Sequence, residues 1–335
     1  MFVKKTIYSF IIFSLLITFS IIFLEFAGRA YSFIFNKNFC AISINIDKYK
    51  SKFDENVGYV PTSGKKIGCN KETYLINDEG FRNYTGFDIV KSNILIVGDS
   101  FGFGDEVSDD ETISFYLKKN HSLSTINAAV YGYGLDQALI RAKQISNYLK
   151  IKKIILIIAP GGYSRTNVIK RNGIEKPYYI INSNNNIQLI KPNKKKIDYS
   201  SRNNFLEKSF LFNYVANKIN FAEIVVNEEK NKNDPVFLGC KIVSFYKKEF
   251  ENNKISFSVL FYRDASEILL EDSPNIRLTK TFLKCLNKHN VNFIDTYSVL
   301  KKNKDKKLYV KIEHGHPTAF SNEIIAKLIS NEINK

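Results

Sequence analysis

The sequence lacks several short motifs by which a function is often assigned. Its four cysteines form no C-x-x-C pair, which argues against a zinc ribbon or a thioredoxin-like site. No zinc-finger, helix-turn-helix or RNP-like pattern accompanies the formal net charge of +16. The lysines are spread along the whole chain, so a nucleic-acid binder is the less favoured interpretation. A basic surface of this kind suits acidic glycans or anionic lipid headgroups.

Charged residues are absent from the apolar run at residues 7–24, which follows Lys4 and Lys5. A membrane-spanning helix needs about 17–25 such residues, whereas the core of a signal peptide has about 7–15. The run has no polar face, unlike a buried helix of a globular domain. No A-x-A cleavage site follows it, so we predict an uncleaved anchor at residues 1–30. The preceding lysines predict a single-pass inner-membrane protein with its domain on the periplasmic side, although Arg29 opposes this orientation.

Export would bear on the state of the cysteines. Cys40 and Cys69 lie in the stretch after the anchor and are candidates for a disulfide in an oxidising compartment. The alternative is that both are unpaired small apolar residues, and the sequence leaves the two possibilities open.

Alternating apolar and amphipathic segments follow an irregular, polar linker and lead-in at residues 31–90. Buried strands are predicted at residues 94–97, 125–129, 154–159, 255–261 and 291–294, and helices at residues 112–120, 135–149, 240–250, 278–289 and 322–333. This order predicts one α/β domain at residues 91–335, a three-layer α/β/α sandwich around a parallel five-stranded sheet. A polar stretch at about residues 165–235 is interpreted as an insertion, with a hairpin at residues 178–181 and 187–190.

The first strand runs directly into G-D-S-F-G-F-G at residues 98–104. A serine on a tight strand-to-helix turn presents its hydroxyl beyond the sheet, which makes Ser100 a candidate nucleophile. A glycine-rich loop after a strand can also bind phosphate. This loop has neither the G-x-G-x-x-G spacing nor the Lys-Ser/Thr end of a Walker motif, so a nucleotide cofactor is not expected.

Histidine is scarce, with four in the chain, and two of them lie in E-H-G-H-P-T at residues 313–318. Glu313 precedes His316 by three residues, so the two can meet on one turn. A carboxylate in that position would fix the tautomer of the imidazole and stabilise its charged form. The pair His314 and His316 also fits a metal site, but no companion ligands accompany it in the sequence, so no metal is expected.

Several ordered blocks together resemble the SGNH/GDSL hydrolase family. V-G-D-S-F-G-F-G at residues 97–104 is similar to its first block, and E-x-x-H-P-T at 313–318 to its last, with Glu in place of Asp. N-A-A-V-Y-G-Y-G-L-D-Q at 127–137 resembles the second block, whose glycine helps form the oxyanion hole and corresponds to Gly132. I-N-D-E-G-F-R at 76–82 resembles the lead-in of the anchored bacterial branch. The resemblance covers about residues 70–330.

The third block departs from the family pattern. The family has an asparagine whose side chain donates to the oxyanion, and that position falls on Gly162 or Tyr163 in the segment at residues 159–167. Loss of one such donor typically costs about 10²–10³ in rate. Asn167 or Ser164 could substitute, or the N–H groups of Ser100 and Gly132 could suffice, or the domain could be inactive.

The resemblance implies a serine-dependent ester hydrolase or acetyltransferase that acts on O-acylated glycans of the envelope or on secreted glycans. A lipid or small acyl ester is the alternative substrate. Ser100, His316 and Glu313 are its predicted catalytic residues. The predicted substrate-binding residues are Phe103, Tyr131, Tyr133 and Arg165. The alternative is an inactive glycan-binding or assembly protein with the same fold.

Overall fold

A computed structural model describes residues 2–34, 51–67, 72–171, 174–192, 209–218, 228–270, 273–310 and 315–333. The chain divides into two units, Met1–Ile46 with Asp198–Val226, and Asp47–Ile197 with Asn227–Lys335. The first unit contains helix α1 (Phe2–Ile34) and helix α6 (Phe210–Lys218). The segment Thr6–Ile34 of α1 is long and apolar enough to cross a membrane.

The second unit is built on a five-stranded parallel sheet, as predicted. Its strands, in chain order, are β5 (Ile94–Gly98), β6 (Thr125–Asn127), β7 (Lys153–Ile158), β13 (Ser256–Phe261) and β14 (Phe293–Asp295). Their order across the sheet is β14-β13-β7-β5-β6. The direction of winding therefore reverses between β5 and β7. In open parallel sheets, ligands bind beyond the carboxyl ends of the strands at this reversal.

Helices cover both faces of the sheet. The helices of this unit are α2 (Ser100–Phe103), α3 (Ile113–His121), α4 (Leu135–Ser146), α5 (Pro160–Ser164), α7 (Pro235–Asn252), α8 (Ala265–Leu269), α9 (Pro274–Lys288), α10 (Tyr297–Lys302) and α11 (Ala319–Ile333). Helices α3, α8, α10 and α11 pack on the face that carries Ile94 and Ile96, and α4 and α7 pack against β5, β7 and β13. Successive strand residues point to opposite faces, so the continuous apolar runs fit a sheet buried on both sides.

The lead-in before the sheet is more regular than the sequence indicated. The predicted irregular segment contains strands β1 (Ser51–Asp54), β2 (Gly58–Pro61), β3 (Gly64–Ile67) and β4 (Thr73–Ile76). They pair antiparallel as β1–β2 and β3–β4. Each is only four residues long, and two of the four begin at a glycine with positive φ, so the periodicity was too short to recognise.

The predicted insertion contains the remaining strands. These are β8 (Val168–Arg171), β9 (Ile174–Glu175), β10 (Tyr178–Ile181), β11 (Ile187–Ile190) and β12 (Glu228–Lys230). The hairpin β10–β11 has the predicted bounds, and its strands pair antiparallel with Tyr178 opposite Ile190. The cysteine pair singled out from the sequence, Cys40 and Cys69, lies outside the described residues. A disulfide instead joins Cys240 on α7 to Cys285 on α9.

Candidate active site

Ser100 is the first residue of α2, directly beyond the carboxyl end of β5. Asp99 caps this helix by accepting a hydrogen bond from the N–H of Phe101 at 3.0 Å. The chain passes so close to β7 that a Cβ atom on Gly98 would lie 1.8 Å from the carbonyl oxygen of Ile157. Only glycine fits there, so the tight turn that presents Ser100 depends on it. The N–H of Ser100 belongs to the first turn of a helix, where the backbone donors have no partner within the helix.

The imidazole of His316 lies against the serine hydroxyl. Its Nε2 is 2.9 Å from Ser100 Oγ, within hydrogen-bond distance. The backbone around His316 is held to residues 308–310, because Val310 donates to the His316 carbonyl at 2.9 Å and Thr318 donates to the carbonyl of Leu308 at 3.0 Å. The two residues are 216 positions apart in sequence, and the structure brings them together as the sequence predicted.

The carboxylate on the far side of the ring is Glu106, which the sequence analysis did not single out. Its Oε2 lies 2.9 Å from His316 Nδ1 and also accepts the His316 backbone N–H at 3.2 Å. Glu106 has a left-handed backbone with φ of 64°, at the end of the loop that begins with the nucleophile. Glu313, the predicted third member, lies outside the described residues. Serine, histidine and Glu106 thus form a hydrogen-bonded chain with the connectivity of a triad.

A buried arginine holds the loop that carries Glu106. Arg82, at the end of the predicted lead-in motif, donates through its guanidinium to the backbone carbonyls of Gly104 at 2.5 Å and Val107 at 2.6 Å. It also pairs with Asp109 at 3.1 Å and is only 1% exposed. Burial lowers the pKa of Arg82, against the opposing effect of Asp109. The two carbonyls flank Glu106, so the guanidinium fixes the turn on which the carboxylate lies.

The site is rich in negative charge. Besides Glu106, Asp105 Oδ2 lies 3.8 Å from His316 Nε2, and Asp99 is buried beneath the serine turn. Burial by itself lowers the pKa of His316, but Asp105, Glu106 and Asp99 together outweigh it, so the pKa is raised above its ordinary value. The charged imidazole that forms when a serine loses its proton is therefore stabilised.

Arg165 spans the space between the serine turn and the second predicted block. Its Nε and Nη2 donate to the carbonyl of Tyr133 at 3.2 and 3.0 Å, and its Nη2 lies 3.9 Å from Asp99 Oδ2. Burial raises the pKa of Asp99, while Arg165 acts in the opposite direction. Gly132, the predicted oxyanion donor, is in the turn just before Tyr133, with φ of 76°. The guanidinium thus connects the two backbone segments that carry the predicted oxyanion donors.

Two predicted substrate-binding residues belong to the core instead. Phe103 is 1% exposed and its ring lies between Tyr74 and Tyr131. Tyr133 is fully buried and donates its hydroxyl to the carbonyl of Tyr59. Both side chains pack against the lead-in strands, whose presence the sequence analysis did not anticipate. Tyr131 is half-buried, with its hydroxyl hydrogen-bonded to that of Ser51.

The third block has no side chain that replaces the missing amide. Gly162 has no side chain, and a Cβ atom there would lie 2.5 Å from Asp99 Oδ2 and 2.4 Å from Ile158 Cδ1, so both side chains would have to shift to admit one. The ring of Tyr163 is buried and stacks on Phe282. Asn167 and Ser164 are the two residues named from the sequence as possible substitutes, and the structure shows what each of them contacts.

The two amide protons of Asn167 are already used. They donate to the carbonyls of Asn231 at 3.4 Å and Asn233 at 2.9 Å, and so hold the segment before α7. Ser164 donates its hydroxyl to the carbonyl of Gly161 at 3.0 Å. Ser164 is the last residue of α5 and Asn167 lies three residues beyond it, and the sequence spacing alone does not reveal these contacts.

Comparison with known proteins gives structural matches only. No family model and no curated protein matches the chain. Solved structures similar to it include a member of the lipolytic protein G-D-S-L family from Veillonella parvula, at 12% identity and a TM-score of 0.41, covering 72% of this chain and 98% of that one. A lipase/acylhydrolase from Enterococcus faecalis matches at 15% identity and a TM-score of 0.41, covering 72% and 95%.

A psychrotrophic esterase from Pseudoalteromonas sp. matches at 10% identity and a TM-score of 0.43, covering 72% of this chain and 97% of that one. The descriptions of these structures name ester hydrolases, and one of them names the family that the sequence blocks resemble. Identity and TM-scores are low in all three, so they add no weight to an activity, which depends on the geometry of the site.

Proposed function

We propose that the chain is a serine-dependent ester hydrolase. The observation that carries the proposal is the continuous chain of contacts from Ser100 Oγ to His316 Nε2 and from His316 Nδ1 to Glu106, each 2.9 Å long. Distances of this length allow a proton to move from the hydroxyl to the ring, which a serine requires to act as a nucleophile near neutral pH.

In the proposed reaction, Ser100 Oγ attacks the ester carbonyl while His316 takes the serine proton. Glu106 accepts a hydrogen bond from the resulting imidazolium. The tetrahedral intermediate collapses, and His316 returns the proton to the departing alcohol. Water then gives a proton to His316 and attacks the acyl-serine, which releases the acid and restores the serine. If a sugar hydroxyl attacked the acyl-serine in place of water, the acyl group would pass to the sugar and the chain would be a transferase.

The negative oxygen of the intermediate would be held by the backbone N–H groups of Ser100 and Gly132. No side-chain amide joins them from Gly162 or Tyr163. We infer that Arg165 compensates in part, because its guanidinium connects the Tyr133 carbonyl to the neighbourhood of Asp99 and keeps the two donor segments in register. Its positive charge also offsets the carboxylates of the site, which would otherwise oppose a developing oxyanion.

The proposed substrate is an O-acylated envelope or secreted glycan on the outer side of the inner membrane. The apolar helix α1 and the lysines before it support that location. The disulfide between Cys240 and Cys285 also supports it, because disulfides persist in oxidising compartments. The formal net charge of +16 favours a polyanionic glycan over a neutral one.

A second candidate is a glycan-binding or assembly protein without turnover. The specific observation in its favour is that neither Gly162 nor the buried Tyr163 supplies the side-chain amide that the family places at the oxyanion. The intact contact between Ser100 and His316 opposes it.

The deciding experiment uses the full chain in detergent with a chromogenic acetyl ester and a fluorophosphonate that labels activated serines. We expect turnover and stoichiometric labelling, with rates lower by about 10³-fold or more in Ser100→Ala and His316→Ala. Ser266→Ala is the matched control and should retain activity, because this hydroxyl contacts the side chains of Asp264, Ser273 and Asn275, away from Ser100. Turnover that persists in Ser100→Ala would sink the serine mechanism. Absent labelling and turnover in a folded protein would favour the binding candidate.

A further inference from the structure

Helix α6, which belongs to the insertion, begins on the anchor helix. Glu25 of α1 accepts hydrogen bonds from the backbone N–H groups of Phe210 at 2.7 Å and Leu211 at 2.9 Å, and from the Ser209 hydroxyl at 2.8 Å. Arg29, one turn further along α1, pairs with the same carboxylate at 2.7 Å. A side chain of α1 therefore caps α6 and satisfies donors that a helix start leaves open.

Close packing strengthens this contact between α1 and the start of α6. A Cβ atom on Gly28 would lie 2.0 Å from Cδ1 of Phe210, so the aromatic ring lies directly on the backbone of α1. Glycine allows such an approach between helices in membranes. Helix α6 has nine residues, too few to be stable alone in water. Its position therefore depends on the contacts with Glu25 and Gly28.

The position of Glu25 along α1 determines how deep in the membrane the contact between α1 and the start of α6 lies. Between Lys5 and Glu25 the chain has no charged residue. At about 1.5 Å per residue these twenty steps span about 30 Å, which is the thickness of a bilayer's hydrocarbon core. If α1 crosses the membrane with Lys5 at one boundary, Glu25 and the start of α6 lie at the other.

The side chains of α6 suit that boundary. Its first six residues, 210–215, are Phe-Leu-Phe-Asn-Tyr-Val, and Tyr214 and Val215 are 39% and 47% exposed. Aromatic side chains are enriched where the acyl chains meet the headgroups. The exposed apolar surface of α6 continues that of α1, where Phe23 and Phe26 are 62% and 70% exposed.

We propose that α6 is an interfacial helix that lies in the headgroup region of the bilayer crossed by α1, and that Glu25 holds it there. The partner is a lipid surface. The proposal is independent of ester hydrolysis and requires only that α1 span the membrane.

The chain has no tryptophan, so the fluorescence of a single tryptophan introduced by substitution is free of background from other tryptophans. The full chain with Tyr214→Trp is reconstituted in phosphatidylcholine and phosphatidylglycerol vesicles that contain lipids brominated near the headgroup or deep in the acyl chain. Phe13→Trp, in the middle of the apolar run, is the depth reference. We expect the Tyr214→Trp emission to be quenched mainly by the shallow bromines and the Phe13→Trp emission mainly by the deep ones.

Glu25→Ala in the Tyr214→Trp background tests the cap and should abolish most of the shallow quenching. A Tyr214→Trp signal that no bromolipid quenches, with normal deep quenching of Phe13→Trp, would overturn the proposal. Equal deep quenching at both positions would also overturn it, since α6 would then be inserted. Phe13→Trp emission that no bromolipid quenches would overturn the proposal as well, because α1 would then not span the membrane. Ester turnover measured in the same variants is expected to be unchanged, so failure here is distinct from failure of the hydrolase proposal.

Discussion

At the scale of single residues, the loop that begins with Ser100 also supplies the carboxylate of Glu106, whose Oε2 lies 2.9 Å from Nδ1 of His316. The serine and histidine could be predicted, because each lies in a block with a distinctive pattern. Glu106 could not, since its role follows from a left-handed backbone and from contacts that no spacing encodes. Asp105 and Glu106 are adjacent acidic residues in the sequence, and only the fold determines which one faces Nδ1.

The role of Glu106 predicts the outcome of two neutral substitutions. Glu106→Gln keeps the shape but cannot balance the imidazolium, so kcat should fall by on the order of 10²–10⁴. Glu313→Gln should change kcat little. Both are measured by ester turnover at the pH optimum, with thermal unfolding to verify the fold. The reverse ranking would assign the role to Glu313.

The carboxylates around His316 predict the pH dependence. Neutral imidazole is the base, and the pKa of His316 is raised, so activity should be lost at a higher pH than for an ordinary histidine as the solution is acidified. Asp105→Asn removes a negative charge 3.8 Å from Nε2 and should lower the pKa. The acid limb of kcat/KM then moves to lower pH.

The control is Asp110→Asn, which changes an exposed carboxylate bound to Thr85 and should leave the acid limb in place. An unmoved limb in Asp105→Asn would contradict this account.

At the scale of elements, the loop from Ser100 to Asp109 is held together by Arg82, because the buried guanidinium of Arg82 binds several groups of that loop. The sequence indicated a lead-in motif at residues 76–82 by resemblance but not the role of Arg82, since the short strands that precede it escaped recognition. The same strands bury Tyr133 and Phe103, which explains why both were wrongly assigned to the substrate.

Substituting Arg82 tests this coupling. Lysine keeps the charge but cannot bind several carbonyls at once. Arg82→Lys should therefore lower stability by about 1–3 kcal/mol and lower kcat more than it raises KM, with a shift of the acid limb as Glu106 moves. Arg263→Lys is the matched control, because that arginine is also buried but pairs with Asp295 on the edge strand β14. It should lower stability without moving the acid limb. Identical pH profiles for both variants would reduce Arg82 to a structural role.

At the scale of the whole molecule, the parallel sheet could be predicted because its five strands are continuous apolar runs separated by helices. The structure of the insertion was harder to predict, because short strands and polar segments have little hydrophobic periodicity. The disulfide was missed for a related reason. Cys240 and Cys285 lie on two amphipathic helices, and their approach depends on how α7 and α9 pack.

That disulfide makes a prediction about stability. It closes a loop of 45 residues, for which the chain-entropy model gives about 4 kcal/mol, usually an upper bound. Cys240→Ala with Cys285→Ala should lower the free energy of unfolding by about 2–4 kcal/mol in urea titrations. A reducing agent should destabilise the parent chain to a similar extent and leave the double variant unchanged. Equal stability of the parent with and without reductant would argue against the bond.

The spacing of the catalytic groups has a consequence for biosynthesis. Nucleophile and carboxylate come from one short loop, whereas the base arrives from 216 residues further along the chain. A nascent chain that does not yet include the segment around His316 therefore holds a serine without a base. Hydrolytic competence would begin when this segment and α11, which packs against α3, have folded onto the sheet, and not when the sheet itself forms.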